Sequence, residues 1–487
     1  MDYSDRSGAG PIADPFALMD ATEQANLVQS GEATSLELVE AAIGRIAVLN
    51  PKVNAIACSN FDLARQQAKS VTGKEPFSGV PTLIKDLLPY PGHTAGFGSR
   101  LLDGAPALTS SDYADTLQAS GLIALGKSTV SEFGLLGTTE TLAKGATRNP
   151  WDITLSPGGS SGGAVAAVAA GMVPIAHASD GGGSIRGPCS FCGLFGFKPG
   201  RNRTVSNGVP AEMPTAALLA EHCVSRSVRD SARWLQMTEN RDLSTRLPSL
   251  EHLRSSFPKN VRIGFYHNDS LGLSPTPEVE AALHETALLC ETIGCDVFEI
   301  KAPCFDPETT VDAFFDLTGL MLSGVFAQIR NMMGNAYDED GLEPYTLEIA
   351  RRASDLAPAD IEMAQSVLAK NTANAERSMQ QCDVILSPTV PFEAFPLGRY
   401  GPETNVKVLQ AFTARLAGYT FVSSLTGWPA MTVPLHWTDK GLPVGSHFTA
   451  PSGKDPLLFS LAYQLEQARP WKHRLDELTK DLLCHNA

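Results

Sequence analysis

Residues 156–200 read SPGGSSGGAVAAVAAGMVPIAHASDGGGSIRGPCSFCGLFGFKPG, and this stretch decides the fold. It contains two glycine clusters, GGSSGG at 158–163 and GGGS at 181–184. Each glycine loses more backbone freedom on folding than alanine would, so such a density needs a compensating role. A flexible linker would be polar throughout, whereas Val, Ile, Met and Phe interrupt this stretch. We therefore interpret it as the frame of an active site.

The segment between the two clusters predicts a helix followed by a strand. Residues 164–170 are mostly small helix formers, and Gly171 is a natural helix stop. Residues 172–178 are apolar and bounded by turn residues, which favours a buried strand. Ser184 then lies in a loop whose three preceding residues are glycines. The N–H groups of such a loop can converge on one oxyanion, which acyl transfer needs beside its nucleophile.

A lysine follows a second apolar run, at residues 80–84. Lysine usually keeps its ammonium group in water, so Lys85 by itself reads as a surface residue. Burial at the end of a strand would instead disfavour the ammonium and leave a neutral amine. A neutral amine can act as a base, and the ten histidines of the chain all lie outside the two glycine clusters.

GGSSGG followed downstream by SDGGGSIRGP resembles the signature of the amidase signature family, serine amide hydrolases with a Ser, cis-Ser, Lys triad. Matching features extend from near residue 20 to the C-terminus. The resemblance implies an α/β/α sandwich in which helices flank a large, twisted, mixed β-sheet. It implies one domain over residues 1–487, a core signature region at about 80–205 and substrate-pocket helices at about 311–380. It implies neither a cofactor nor a metal.

The resemblance also implies roles for single residues. Ser184 is expected to be the nucleophile, Ser160 the bridging serine with a cis Gly159–Ser160 peptide bond, and Lys85 the base. The N–H groups expected to form the oxyanion hole belong to Gly181, Gly182, Gly183 and Ser184. The residues expected to support the loop are Ser161, Asp180 and Arg186.

The implied reaction is hydrolysis of the C–N bond of a small-molecule carboxylic amide. Family members also cleave esters and carbamates by the same acyl chemistry, and one is a tRNA-dependent amidotransferase subunit, so these alternatives stay open, as does a homodimer. Three positions depart from the family pattern: Gly181 replaces the more usual Ile, Ser424 stands where Asn is frequent, and His447 where Gln is frequent. These departures bear on substrate identity rather than on the reaction.

Residues 121–128 match the phosphate-loop pattern GxxxxGK[ST] letter for letter. In a true phosphate-binding loop the strand precedes the motif and the interior of the motif curls around the phosphates. Here the interior residues 122–125 would themselves form the strand. We therefore predict a false match. A nucleotide-binding protein, which would require Lys127, and a non-catalytic binding module are the alternatives from other classes.

Composition excludes other classes of protein. The net charge of −15 argues against a nucleic-acid or anionic-membrane partner. The N-terminus shows no signal peptide, and the longest apolar run, 164–178, is too short to span a bilayer, so we expect a cytoplasmic protein. The nine cysteines show no disulfide framework, and the Cys189/Cys192 pair lacks the second pair of a zinc site. We expect buried thiols there.

The remaining patterns predict individual elements. Thr34 and Glu37 form a capping box for a helix that should end at Pro51. Residues 261–266, 277–293 and 296–300 read as strand, helix and strand, which implies parallel pairing. Other segments read as helices at 21–30, 112–119 and 360–380, as a strand at 384–386, and as a helix whose apolar face comprises Phe314, Met321, Val325, Ile329 and Met332.

Overall fold

The computed structural model describes residues 14–303 and 306–484. The first thirteen residues, where we expect no signal peptide, and Cys304 lie outside the described residues. The helices are α1 Ala21–Ser30, α2 Ser35–Val53, α3 Phe61–Ala68, α4 Asp112–Ala119, α5 Gly162–Ala169, α6 Arg186–Cys192, α7 Val228–Thr238, α8 Leu250–Ser255, α9 Pro277–Thr292, α10 Pro307–Met333, α11 Pro344–Arg352, α12 Pro358–Ser378, α13 Val406–Leu416, α14 Phe421–Thr426, α15 Asp455–Ala468 and α16 Lys472–Cys484. The strands are β1 Ile56–Ser59, β2 Pro81–Lys85, β3 Ile123–Ser128, β4 Glu140–Thr141, β5 Gly145–Ala146, β6 Ile175–Asp180, β7 Phe195–Lys198, β8 Ala220–Ser225, β9 Arg262–Phe265, β10 Asp296–Glu299, β11 Val384–Pro388, β12 Ala430–Trp437 and β13 Pro443–Thr449.

Eight strands form one mixed sheet in the order β10-β9-β11-β13-β12-β7-β8-β6. β9 pairs in parallel with β10, as the strand–helix–strand pattern predicted. β9 also pairs in parallel with β11, and the other neighbours in the sheet pair antiparallel. Helices cover both faces of β7. A Cβ on Gly196 would meet Cys189 of α6, whereas the next residue, Phe197, stacks on Phe459 of α15 at 4.1 Å. Because successive residues of a strand point to opposite faces, the predicted α/β/α sandwich is confirmed.

The strand that carries Lys85 belongs to a separate three-stranded sheet, in the order β1-β3-β2. Two hydrogen bonds tie β2 to β6 of the large sheet. The Thr82 hydroxyl donates to the Ile175 carbonyl at 3.0 Å, and the Lys85 N–H donates to His177 Nδ1 at 3.2 Å. These bonds place the end of β2 beside the end of β6, where the second glycine cluster begins.

Helix α5 lies at the centre of the largest hydrophobic cluster, and all eight of its residues are buried. Its small side chains allow close approach: a Cβ on Gly163 would lie 2.4 Å from the backbone nitrogen of Thr129, so only glycine fits there. The close packing holds the N-terminus of α5, and with it the first glycine cluster, against the smaller sheet.

Several predicted boundaries are wrong. Helix α2 continues past Pro51 to Val53, because proline in the last turn removes only its own donor, and the Asn54 N–H closes the helix on Asn50 O at 2.7 Å. Strand β6 begins at Ile175 rather than Met172, because the Met172 N–H is used by Ala167 O to close α5 and Pro174 has no N–H for a ladder.

The predicted strand at 122–125 is too short at its C-terminal end. β3 runs through Gly126, Lys127 and Ser128, so the residues that matched the phosphate pattern form a buried strand rather than a loop. The Lys127 side chain is fully buried, and its ammonium group lies 3.9 Å from the Asp86 carboxylate. This confirms that the pattern is a false match, because strand backbone cannot curl around a phosphate.

The apolar face assigned to helix α10 is wrong at one position, since Met332 is 67% exposed near the end of the helix. In the described part of the chain it is the one helix long and apolar enough to cross a membrane, with a mean hydropathy of 1.3 in its most apolar window. It packs against α11 and α12 and contributes to the hydrophobic clusters beside the cavity described below. We interpret it as a wall of that cavity.

Candidate active site

Lys85 is the last residue of β2, and its side chain has no solvent exposure. Its Nζ lies 2.8 Å from Ser160 Oγ and 3.0 Å from the Ser179 carbonyl oxygen. Burial lowers the pKa of Lys85 from 10.5 to about 7, although the carboxylates of Glu221 and Asp180 act in the opposite direction. The surface location that lysine alone would suggest is therefore excluded, and a large fraction of the amine is neutral at neutral pH.

The Ser160 hydroxyl faces Lys85 from the turn before α5. The Gly159–Ser160 peptide bond is cis, as the family resemblance implied, and Ser160 is buried. A Cβ on Gly159 would lie 2.7 Å from backbone atoms of Leu136 and Thr138, so a side chain cannot be accommodated there. Ser161 donates to Ser179 O at 3.2 Å, the same carbonyl that Lys85 contacts. The turn and the lysine thus share one acceptor on β6.

The loop that carries Ser184 is held by the carboxylate of Asp180, the last residue of β6. Asp180 accepts hydrogen bonds from the Gly183 N–H at 2.7 Å and the Ile185 N–H at 3.1 Å. The Thr420 hydroxyl donates to the Gly182 carbonyl at 2.6 Å. The glycine loop is therefore fixed from both of its sides before any substrate binds.

One expected member of the oxyanion hole is corrected by this geometry. The Gly183 N–H is already bound to Asp180, so it is not free to hold an oxyanion. Within residues 14–303 and 306–484, no acceptor is bound to the N–H groups of Gly181, Gly182 or Ser184. These three remain as the donors that could converge on a substrate oxygen.

Arg186 anchors the same loop to the C-terminal part of the chain. Its Nε lies 2.9 Å from Asp180 Oδ2 and its Nη2 2.8 Å from Oδ1, a bidentate pair with no solvent exposure. Nη1 donates to Thr420 O at 2.8 Å and to the hydroxyl of Ser423. Burial alone would raise the pKa of Asp180, but the Arg186 guanidinium and other neighbours together outweigh it and lower the pKa, so this carboxylate stays ionised.

Two of the three departures from the family pattern also contact Arg186. His447 Nε2 lies 3.1 Å from Arg186 Nη1, and Ser424 Oγ lies 3.2 Å from Nη2. Burial, followed by the nearby guanidinium, lowers the pKa of His447 well below its usual value, so the ring is neutral and its Nε2 accepts. Ser424 and His447 therefore support the loop. Only Gly181 lies on the cavity surface described below, so it bears directly on the shape of the cavity, whereas Ser424 and His447 bear on hydrogen bonding.

His177, the histidine nearest in sequence to Ser184, is already engaged at both ring nitrogens. Nδ1 accepts from the Lys85 N–H, and Nε2 lies 2.9 Å from Glu221 Oε2. Because Nδ1 is an acceptor, the proton resides on Nε2 and is donated to the carboxylate. His177 thus positions Lys85 and has no free nitrogen with which to act on a serine.

Ser160 and Ser184 line one cavity of about 190 Å³. Its surface is formed mainly by apolar side chains and contains no Asp, Glu, Lys, Arg or His among the described residues. The apolar members are Leu87, Phe133, Leu135, Leu136, Leu218, Leu219, Val311, Phe314, Phe315, Met321, Ile349, Val390, Ala414, Leu416, Ala417 and Phe421. A cavity without charged side chains favours an uncharged ligand, because a charge buried there would have no partner.

The helices that line the cavity are only in part the ones predicted to do so. Helices α10 and α11 contribute as expected, for example through Phe314 and Ile349, but no residue of α12 lies on the surface. Helix α13 contributes Thr413 and Leu416 and was not predicted to line the pocket. Thr420 and the Ser179 carbonyl also contact the site and were not predicted, because they carry no local motif.

Other candidate ligand groups lie outside this cavity. Cys189 and Cys192 are buried free thiols, as expected, and burial raises the pKa of both. His267, Glu280 and His284 carry potential metal-ligand atoms within 4.8 Å of one another, but none of the three lines the cavity. The arrangement around Ser160 and Ser184 therefore consists of hydroxyls, one amine and backbone N–H groups.

Comparison with known proteins gives a consistent assignment. The model of the Amidase family matches residues 37–459. The putative amidase AmiC of Mycobacterium tuberculosis is 34% identical over 461 residues, which cover 94% of this chain and 96% of AmiC. The 6-aminohexanoate-cyclic-dimer hydrolase of a Pseudomonas species is 30% identical over 477 residues, covering 94% of this chain and 96% of that protein.

Solved structures agree with these relatives. A 6-aminohexanoate cyclic dimer hydrolase complexed with substrate superposes with a TM-score of 0.87 and 29% identity, covering 95% of this chain and 99% of the other. A bacterial aryl acylamidase of the amidase signature enzymes superposes with a TM-score of 0.86 and 24% identity, covering 96% and 99%. The second likeness concerns the fold alone.

Proposed function

This chain belongs to the amidase family and is an amide-hydrolysing enzyme, and from that premise we propose that it cleaves neutral small-molecule amides through an acyl-enzyme on Ser184. The observation that carries the proposal is the buried contact of 2.8 Å between Lys85 Nζ and Ser160 Oγ, beside the cavity that Ser184 also lines. Serine needs such an adjacent base because its hydroxyl is a poor nucleophile at neutral pH.

The proton moves in two steps. The neutral amine of Lys85 accepts the Ser160 proton while Ser160 accepts the proton of Ser184, whose oxygen attacks the substrate carbonyl. The return of the proton along the same route to the leaving nitrogen releases the amine and leaves the acyl group on Ser184. Water, deprotonated by the same relay, then hydrolyses the ester bond and restores the free enzyme.

The tetrahedral intermediate is stabilised by backbone donors. The N–H groups of Gly181, Gly182 and Ser184 are the candidates, because Gly183 is engaged by Asp180. A donor of this kind contributes roughly 3 to 4 kcal/mol to transition-state stabilisation in hydrolases that use an oxyanion hole. The hydrogen bond that Asp180 accepts from Gly183 and the one that Thr420 donates to Gly182 hold the loop in place, so little reorganisation is needed as the negative charge develops.

The cavity surface favours uncharged substrates over amino-acid amides. A free ammonium or carboxylate on the substrate would be buried against apolar side chains with no charged partner in the described lining. Aryl or alkyl amides match this surface. The same acyl chemistry serves esters and carbamates, so the substrate panel should include both.

The test is covalent labelling by a fluorophosphonate probe together with turnover of an aryl amide. We expect the purified chain to react at Ser184 and to release the arylamine, and Ser184→Ala to lose both activities. Ser225→Ala is the control, because that buried hydroxyl donates to Ser227 O and Ser225 does not line the cavity. Labelling that survives in Ser184→Ala would place the nucleophile elsewhere. Turnover by the isolated chain would also argue against an amidotransferase subunit that needs partners.

A further inference from the structure

A cluster of potential metal ligands lies outside the cavity, beside the edge strand of the large sheet. His267 follows the end of β9 by two residues, and Glu280 and His284 lie four residues apart on α9. Residues with this spacing share one face of a helix, one turn apart. One ligand atom of each side chain lies within 4.8 Å of those of the other two. Amide hydrolysis in the cavity does not account for this cluster, since none of the three lines it.

We propose that His267, Glu280 and His284 bind one divalent transition-metal ion of the zinc class. The site goes beyond the proposed function, because no step of the serine mechanism uses it. Two imidazoles and one carboxylate form the kind of ligand set that Zn²⁺ and Co²⁺ bind, whereas Mg²⁺ and Ca²⁺ take mainly oxygen ligands. A water molecule would complete a four-coordinate ion.

One carboxylate oxygen contacts both histidine rings. Glu280 Oε1 contacts His267 Nδ1 and lies 3.3 Å from His284 Nε2. Two ligand atoms of a tetrahedral zinc ion lie about 3.3 Å apart when each bond is about 2.0 to 2.1 Å. The Glu280–His284 pair thus already has the separation of two zinc ligands. The side chain of His284 is 54% exposed, so the ring can adjust to an ion that arrives from solvent.

Neighbouring side chains hold the two imidazole rings. The centroid of the Phe265 ring lies 5.4 Å from that of His267 and 6.3 Å from that of His284. The pairing of β9 with β10 sets Phe265 opposite Glu299, and Glu299 Oε1 lies 3.8 Å from His267 Nε2. A carboxylate beside Nε2 favours the tautomer that carries its proton there, which leaves the Nδ1 lone pair for a metal.

The charges around the cluster favour a cation. Glu280 and Glu299 bring two carboxylates to the two histidines, and in the described part of the chain neither carboxylate forms an ion pair with a lysine or an arginine. A divalent ion would balance both negative charges. It would replace the proton between His267 Nδ1 and Glu280, and that proton would pass to solvent.

The cluster is connected to the catalytic loop by one tyrosine. Tyr419 Oη donates to the His267 carbonyl oxygen at 2.7 Å. The next residue, Thr420, holds the Gly182 carbonyl. An ion that binds only the folded chain stabilises it. We therefore expect the metal to stabilise the framework behind the loop rather than to take part in the reaction.

The experiment is a titration of the protein, without an affinity tag, with Co²⁺ as a spectroscopic substitute for Zn²⁺. The parent protein carries Cys484→Ser, because that exposed thiol could bind the ion by itself. We expect one Co²⁺ per chain, with the visible absorption of a four- or five-coordinate ion. Zn²⁺ should displace it and excess Mg²⁺ should not. Binding should also raise the midpoint of thermal unfolding.

Three variants of the parent test the assignment. His284→Ala and Glu280→Gln should each lose the absorption and the thermal shift, and circular dichroism reports whether each is folded. Glu299→Gln should keep the stoichiometry and weaken binding by about tenfold. His473→Ala is the matched control, since it removes an exposed histidine of α16, and it should bind Co²⁺ as the parent does.

The outcomes are independent of the proposed function. The site is overturned if the parent shows no saturable absorption with Co²⁺, or if His284→Ala or Glu280→Gln binds Co²⁺ as tightly as the parent. Unchanged affinity in Glu299→Gln would overturn the orienting role of that carboxylate. Labelling of Ser184 by the fluorophosphonate tests the other proposal separately, so either can fail while the other stands.

Discussion

Lys85 Nζ and Ser160 Oγ are 2.8 Å apart, and neither residue has appreciable solvent exposure. A buried lysine lowers the free energy of unfolding, because its ammonium group loses its hydration. The same desolvation favours the neutral amine that the proposed relay requires.

The rate of acylation should follow the ionisation of Lys85. Because the protonated amine cannot accept a proton, we expect kcat/KM for an aryl amide to rise with pH and to level off above a midpoint near pH 7. Lys85→Met should lower kcat/KM by several orders of magnitude. Lys127→Met is a control at another buried lysine and should keep the midpoint, even if less protein folds. A flat profile through neutral pH would remove Lys85 from the role of base.

Lys85→Met should also change how stability depends on pH. The pKa of Lys85 is about 7 in the folded state and 10.5 in the reference state, so between these values the unfolded chain holds a proton that the native chain lacks. The stability of wild type therefore rises with pH across this window, relative to the variant, by about 1.4 kcal/mol per pH unit. Urea denaturation of both proteins at several pH values measures the difference. A constant difference across the window would contradict the lowered pKa.

Gly183→Ala should inactivate the enzyme without unfolding it. Gly183 has φ of +142°, and a Cβ there would lie 2.4 Å from Thr420 Oγ1, so alanine must displace the loop that carries Ser184. We expect kcat/KM to fall by at least about a hundredfold, as for the loss of an oxyanion donor. Gly182→Ala is the matched control, because its Cβ would meet Phe421 at 3.7 Å, an ordinary contact, and should cost much less. Equal losses in the two variants would contradict the argument.

Gly181→Ile should narrow the cavity. A Cβ at Gly181 would already lie 3.1 Å from Leu219 Cδ2, and the larger side chain that is usual in the family would extend further across the cavity surface. We expect KM to rise by about tenfold or more for anilides with bulky acyl groups and to change little for acetanilides. The companion variant Leu219→Ala should restore part of the loss. If bulky and small substrates are affected alike, Gly181 does not set the size of the pocket.

His447→Gln should be nearly neutral, although the position is buried. A glutamine amide oxygen can accept from Arg186 as His447 Nε2 does, and its NH₂ can donate to Ser387, which lies 3.1 Å from Nδ1. His447→Leu offers no acceptor and should lower the free energy of unfolding by about 1 to 3 kcal/mol. Chemical denaturation of the two variants distinguishes them, and a glutamine variant as unstable as the leucine variant would show that shape rather than hydrogen bonding matters.

Much of the fold could be predicted because its signals are local. The helix stop at Gly171, the parallel unit formed by β9, α9 and β10, and the α/β/α class were confirmed, and the family resemblance of the glycine-rich stretch was confirmed by the relatives. Helix ends were less reliable. Pro51 lies inside the last turn of α2, where it removes one helical hydrogen bond without ending the helix, and no local pattern distinguishes that case from a true stop.

The residues that line the cavity could not be predicted as well as the fold. The amphipathic pattern of a helix shows which face is apolar but not whether that face meets the core or a ligand. Helix α12 was expected to line the pocket and does not, while α13 does.

By itself, then, the sequence determined the glycine loops, the apolar strand that leads to Lys85, the class of the fold and the family of the enzyme, because each depends on residues that are close together in the chain. Only the tertiary structure decided that Lys85 is buried with a pKa near 7 and that the Gly183 N–H donates to Asp180. It also decided that the described lining of the cavity contains no charged side chain. The physical reason is that desolvation and hydrogen-bond satisfaction depend on segments far apart in sequence, as Arg186 shows by joining Asp180 to His447.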